Sequence, residues 1–305
     1  MNSFDLADVP FAQGCDDAAW WAPEDLAQLA HSPSWALLGP EDRRRFCRVI
    51  ALSSCENFIF LEEYLLVPAV QAVLRWQRAK LSPDLVACLE DFVAEEIKHS
   101  AMFRRLLEAA APAWYPPGAD FQTWRPRIYR SSWFENEGSR ALVRVPGLSL
   151  WWIWLAILFE ERTIDVYRRY NAGVNVDPLF TAVHRFHMLE ETRHVAIDQH
   201  LLVELWEQAP AWVRRLNVAV LNQVMKVFTR PRNSARAAVD VIIEANPALE
   251  PHRTALLADI EGLGTNLAFQ QANYSRAVLP KTFSLMDRYP ELAAVRASLP
   301  AYAPA

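Results

Sequence analysis

Residues 184–198 read HRFHMLEETRHVAID and hold three of the chain's seven histidines beside two adjacent glutamates. Glu191 and His194 stand three apart, so on a helix they share one face. A carboxylate and an imidazole so placed can bind one metal ion. The same chemistry occurs earlier in AEEIKHSA, residues 94–101, where Glu96 and His99 keep that spacing. Each copy reads Glu-Glu-x-basic-His. A single ExxH means little, because paired glutamates on a long helix are commonly a solvated face with ion pairs to a residue such as Lys98 or Arg193. Two copies with the same extra Glu point to shared chemistry.

Two further segments place a Glu pair inside an apolar run: FLEEYLLVP at 60–68 and LFEERTIDVY at 158–167. A buried carboxylate without a partner is costly, and metal coordination offsets that cost. Helical neighbours of Glu160 are Ile153, Ala156, Ile157, Ile164 and Tyr167, whereas Glu161 sees Asp165 and Arg168. Glu160 is therefore preferred, and aligning the pairs prefers Glu62. Glu63 and Glu161 stay open as alternatives. One Glu from each of two helices and one ExxH from each of two others is the carboxylate-bridged dinuclear arrangement of ferritin-like bundles. Such mixed ligation suits iron, and manganese fits the same donors. The metals would lie about 3.5–4 Å apart.

These donors need four long helices. The pattern predicts one from Pro40 to about Gln77, kinked or split at Pro68. A second opens at Ser82-Pro83-Asp84 and runs to about Ala111, a third spans 148–170, and a fourth runs from Asp177-Pro178 to about Glu207. Shorter helices are expected near 211–228, 232–244 and 250–276, followed by a Pro-bounded tail. Residues 1–39 show no clear core element, and 112–146, rich in Pro, Trp and Tyr, read as a long ordered loop on the bundle. The expectation is an all-α protein, one domain over residues 1–305, with a four-helix metal-binding bundle at about 40–207 and flanking C-terminal helices at about 210–280.

Composition narrows the function classes. Apolar residues make up 52% of the 305 residues, charged residues 22%, and the net charge is −5. No basic cluster marks a nucleic-acid surface. VPGLSLWWIWLAILF at 145–159 is too short for a membrane span and is followed at once by Glu160, Glu161 and Arg162, so it reads as buried in protein. Four cysteines without a CxxC pair suit a reducing cytoplasm, and the acidic N-terminus has no signal-peptide pattern. The many tryptophans are compatible with a homodimer.

His187, four before Glu191 and seven before His194, is more than a plain ferritin-like site needs. Taken alone it is equally a buried histidine bonded to a carbonyl or to Asp198. The order Glu, ExxH, Glu, HxxxExxH over roughly residues 40–207 resembles the diiron N-oxygenases typified by p-aminobenzoate N-oxygenase, in which the fourth core helix carries an additional His ligand at this place. The resemblance implies metal ligation by Glu62, Glu96, His99, Glu160, His187, Glu191 and His194. It also implies two irons with O2 as co-substrate, an external electron donor, and a small-molecule amine oxidised through hydroxylamine and nitroso toward nitro in secondary metabolism. His184 lies outside the family pattern and reads as an outer or core residue. Trp151, Trp152, Trp154, Phe159 and Tyr167 either line a substrate cavity or form core. Arg162, Arg168 and Arg169 either anchor a carboxylate or face solvent. Other diiron oxidases, such as hydroxylases or desaturases, and iron-storing proteins are the rival classes.

Overall fold

A computed structural model describes residues 4–118, 128, 138, 141–145 and 147–302. The elements that carry the predicted donors are α1 (Pro40–Ile59), a π-helical stretch (Phe60–Leu66), α2 (Val67–Gln77), α3 (Pro83–Ala110), α4 (Trp151–Ala172) and α5 (Pro178–Leu201). Among the described residues there is no strand; one isolated bridge joins Trp20 to Val176. The chain is all-α, as its patterning predicts.

Capping sets two helix starts. The Ser82 hydroxyl accepts from Leu85 N ahead of Pro83, and the Asp177 carboxylate accepts from Phe180 N ahead of Pro178. Asp177 also accepts from Asp16 N at 2.7 Å, which ties the N-terminal segment to the start of α5. The helix expected from Pro40 to about Gln77 is interrupted next to Pro68, which sits in the first turn of α2. Proline cannot donate to the preceding turn, and the chain widens into π-helical turns over Phe60–Leu66 just before it. Glu62 lies within those turns.

Three interfaces build the bundle: α1 with α3, α3 with α5, and α5 with α4, the last being the most extensive. Trp151, Trp152 and Trp154 are fully buried, so the apolar run before Glu160 is core. Among the described residues one helical span, 40–80, is long and apolar enough to cross a membrane, yet most of it is buried in protein. Beyond the bundle come α6 (Ala211–Phe228), α7 (Arg232–Ala245), α8 (Arg253–Glu261), α9 (Leu267–Tyr274), α10 (Pro280–Arg288) and α11 (Ala293–Ala297).

Three expectations change. Residues 4–39 form short 3-10 turns that bury Phe4, Trp21, Leu29 and Trp35 against the bundle. The single helix expected at 250–276 is interrupted between Glu261 and Leu267, where Gly262–Gly264 form a 3-10 turn and Asn266 caps the next helix by accepting from Phe269 N. The Pro-bounded tail contains α10, whose role at Glu161 is described below. Most of the loop expected at 112–146 lies outside the described residues.

Candidate metal centre

The four long helices bring Glu62, Glu96, His99, Glu160, His187, Glu191 and His194 into the bundle interior, each no more than 2% exposed. Six of them form two overlapping groups. Glu62, His99, His187 and Glu191 make one; Glu96, His99, Glu191 and His194 make the other. Within each group one donor atom per residue lies within 4.8 Å of the rest. His99 and Glu191 belong to both. Glu160 stands at the edge of this cluster and feels Asp198, Glu191, His194 and Glu96 electrostatically.

The contacts are close. His187 Nε2 lies 3.0 Å from Glu62 and 2.5 Å from Glu191. His194 Nδ1 lies 2.9 Å from Glu96 and 3.5 Å from Glu191, and His99 Nδ1 lies 3.5 Å from Glu191. These are ion-pair contacts, and few of the atoms are aligned as hydrogen bonds. His99 Nδ1, His194 Nδ1, both His187 nitrogens and both oxygens of Glu96 and Glu160 are buried with no hydrogen-bond partner. Donor atoms gathered within 4.8 Å of one another, several without an aligned partner, suit a shared cation.

The opposite nitrogen of two of these histidines is held firmly. His99 Nε2 sits 2.8 Å from Glu190, and His194 Nε2 sits 2.9 Å from Glu95. Lys98 then donates to Glu190 at 2.6 Å, and Arg193 pairs with Glu95. The entire Glu-Glu-x-basic-His segment is therefore used reciprocally. The first Glu of each copy receives the basic residue and the His of the other copy, across the bundle. This fixes each imidazole with Nδ1 turned inward and raises its basicity as a ligand. Sequence spacing offered the doubled Glu as a sign of this, but not that the partners lie on the opposing helix.

Electrostatics follow from burial and crowding. Burial raises Glu62 to about 8 against the pull of His187. Burial and the neighbouring Asp198 raise Glu160 well above the usual carboxylate range. Burial opposes the charge of His187, but the facing Glu191 and Glu62 carry it up to about 10. Burial pushes Glu191 upward, but His187 and His194 together hold it well below the usual carboxylate range. Burial lowers His99, with His187 adding to the effect. Glu62, Glu96, Glu160 and Glu191 would crowd four negative charges into one dry interior. Two divalent cations match that charge, and the unpartnered carboxylate and imidazole atoms are the donors iron takes. The residues fit a dinuclear centre.

The doubled glutamates separate cleanly. Glu63 is partly exposed and pairs with Arg104. Glu161 accepts from Lys281 N, Thr282 N and the Thr282 hydroxyl, each at 2.8 Å, and so binds the N-terminal end of α10. Asp198 lies beside Glu160 and not His187, which removes the sequence alternative of a His187–Asp198 bond. The candidate carboxylate anchors have other partners. Arg162 bonds Asn273 and lies over Tyr274, Arg169 bonds Asp165 and the Ala272 carbonyl, and Arg168 is exposed. Trp154 packs edge-on against Trp206 and Tyr289. Two residues had no sequence signal as neighbours of the centre: Phe4, which stacks on His99, and Phe92, 4.3 Å from His194 ring to ring.

No curated protein matches the chain. The family model described as P-aminobenzoate N-oxygenase AurF matches residues 2–257, a span that contains all four donor helices and the whole Glu/His cluster. That family is one of non-haem diiron enzymes that use O2. With this match over most of its length, and a buried donor set fit for two irons, the chain belongs to the p-aminobenzoate N-oxygenase AurF family of diiron N-oxygenases.

Proposed function

We propose that Glu62, Glu96, His99, Glu160, His187, Glu191 and His194 hold two irons, and that the enzyme oxidises the amine nitrogen of a small molecule with O2 and an external electron donor. The observation that carries this reading is His187. It lies inside the donor cluster, in contact with both Glu62 and Glu191, as a ligand would.

Bound irons supply the electrons and open positions that O2 reduction requires. The protein's own residues do the rest. Glu191 and His99, which occur in both donor groups, would help hold the pair of metals, His99 through Nδ1. Glu95 and Glu190 fix the imidazoles, and Arg193 and Lys98 pair with those outer carboxylates. Phe58, Phe92 and Phe103 pack against His187 and His194 and keep bulk water away. Each first oxidation takes up one O2, two electrons and two protons and yields a hydroxylamine and water; further rounds give nitroso and nitro products, a chemistry at home in secondary metabolism.

The test is anaerobic reduction of the iron-loaded protein, exposure to O2 with a panel of aromatic and aliphatic amines, and mass spectrometry of the products. Hydroxylamine, nitroso or nitro products are expected. Oxygen inserted only at carbon, across the whole panel, overturns the amine reading.

A further inference from the structure

Both faces of α6 carry apolar side chains. The inner face buries Val213, Val218, Leu221 and Met225. Asn217 fixes it there, accepting from Trp151 N and donating to the carbonyls of Gly147 and Val213. The outer face presents Trp212, Leu216, Ala219, Gln223 and Val227, spaced four, three, four and four, which form one stripe about 22 Å long. Trp212 is 66%, Leu216 43% and Val227 62% exposed. Single exposed apolar residues need no explanation, but a continuous stripe marks a surface that meets something.

Charge marks the same face. Residues 211–230 contain Arg214, Arg215, Lys226 and Arg230 and no acid, in a chain of net charge −5. Arg214 is occupied by Glu291. Arg215 and Lys226 stand eleven apart, about three helical turns, so both edge the stripe on one side. Among the described residues neither has an ion-pair partner.

The face is also joined to the metal centre. Phe228, which ends α6 beside Val227, lies 6.2 Å from Phe159 between ring centroids, and Phe159 is next in sequence to Glu160. Phe159 lies 5.2 Å from Phe58, which lies 4.9 Å from His187. Three ring contacts thus lead from the end of the outer stripe to the donor cluster.

A second copy of the chain fits this face poorly. A two-fold pairing of α6 with itself would bring Arg215 of each copy toward Lys226 of the other, and like charges oppose that contact. An acidic partner meets the same bases favourably and can lay an apolar centre on Trp212. Resting on the N-oxygenase reading above, which requires an external supply of electrons, we propose that the outer face of α6 docks the electron donor, a small acidic carrier protein of the ferredoxin or flavodoxin kind. Each encounter oxidises the carrier by one electron and reduces one Fe(III) to Fe(II). Two encounters supply the two electrons that each O2 takes up. Such encounters are small in area, transient and steered by charge.

Calorimetry at low salt tests the docking on both metal-free and iron-loaded full-length protein, with a plant-type [2Fe–2S] ferredoxin and a flavodoxin as probes. At least one is expected to bind, and more weakly as salt rises. Arg215→Glu combined with Lys226→Glu should weaken binding about tenfold or more, and Trp212→Ala by a similar factor. The same charge reversal at Arg75 and Lys80, exposed on α2 and the turn after it, should change binding little. In stopped flow, iron-loaded α6 variants should take electrons more slowly from the carrier but at the wild-type rate from dithionite, which needs no docking. The altered side chains are exposed or partly exposed, so melting temperatures should hold. Binding of neither carrier overturns the proposal, as does equal weakening by the Arg75 and Lys80 reversal. A dimer in sedimentation that Trp212→Ala dissolves assigns the face to a second copy instead, and uptake onto phosphatidylglycerol vesicles in preference to either carrier assigns it to a membrane. Amine oxidation by the dithionite-reduced enzyme without carrier binding ends this inference and leaves N-oxygenation intact. Carrier-driven reduction through α6 with oxygen inserted only at carbon does the reverse.

Discussion

The two ligand segments, 94–99 on α3 and 189–194 on α5, share the Glu-Glu-x-basic-His pattern and differ in what stands just ahead of it. In both, the second Glu and the His face the centre and the first Glu holds the imidazole of the other copy. Four residues before the inward Glu, however, α3 carries Phe92 and α5 carries His187. Phe92 packs its ring on His194, whereas His187 reaches Glu62 and Glu191. A symmetric frame thus holds an asymmetric centre. The repeat supplies rigidity, since every outer carboxylate is anchored by a cation from the opposing helix. On the proposed ligation, the single departure would add one donor, His187, beside Glu62 and Glu191 that the other half lacks.

The largest effect should come from the residue common to both groups. Glu191→Ala removes a carboxylate that faces His99, His187 and His194 at once. Loss of most of both irons is expected, read as iron per chain after anaerobic loading. Retention of one iron at full occupancy would show that the two groups are independent and not joined through Glu191.

Next come the two non-equivalent positions. His187→Ala should weaken one metal position and leave a chain with close to one iron, with altered visible spectra. Phe92→Ala should cost about 3–5 kcal/mol of stability as a cavity-forming core change, with iron stoichiometry kept. The comparison fails if both variants retain two irons and differ only in melting temperature. In that case His187 is core, like its counterpart.

The outer carboxylates sharpen the symmetric part. Glu95→Gln and Glu190→Gln each remove the charge that fixes one imidazole. A loss of about 10–100-fold in iron affinity is expected from each. Competition with a chelator measures both. Similar losses support a reciprocal frame, while a large loss from one alone would mean that only one half depends on its outer partner.

Much of this frame is legible in the sequence because its cause is local. Helix starts at Ser82-Pro83 and Asp177-Pro178 follow from capping chemistry, and the ExxH spacing follows from helical pitch. What is hidden is set by partners distant in sequence. The pairings Glu95–His194 and Glu190–His99 join residues about 90 or more positions apart. The π-helical turns at Phe60–Leu66 lie just ahead of Pro68, and no local pattern states them.

The doubled glutamates give the smallest effects and the finest test of why each pair is doubled. Apolar neighbours prefer Glu160 over Glu161, yet both are buried, because Glu161 serves a partner 120 residues on: the N-terminal end of α10. Glu161→Ala strips three hydrogen bonds from that end and should lower stability by about 1–3 kcal/mol while iron content is unchanged. Glu63, by contrast, is 36% exposed at its side chain and pairs with Arg104 near the surface. Screening by water leaves such a pair under about 1 kcal/mol, so Glu63→Ala should shift the melting temperature little and the iron content not at all. If Glu63→Ala instead empties one metal position, the π-helical turns present Glu63 to the centre in the loaded protein, and the inward assignment of Glu62 must be exchanged for its neighbour.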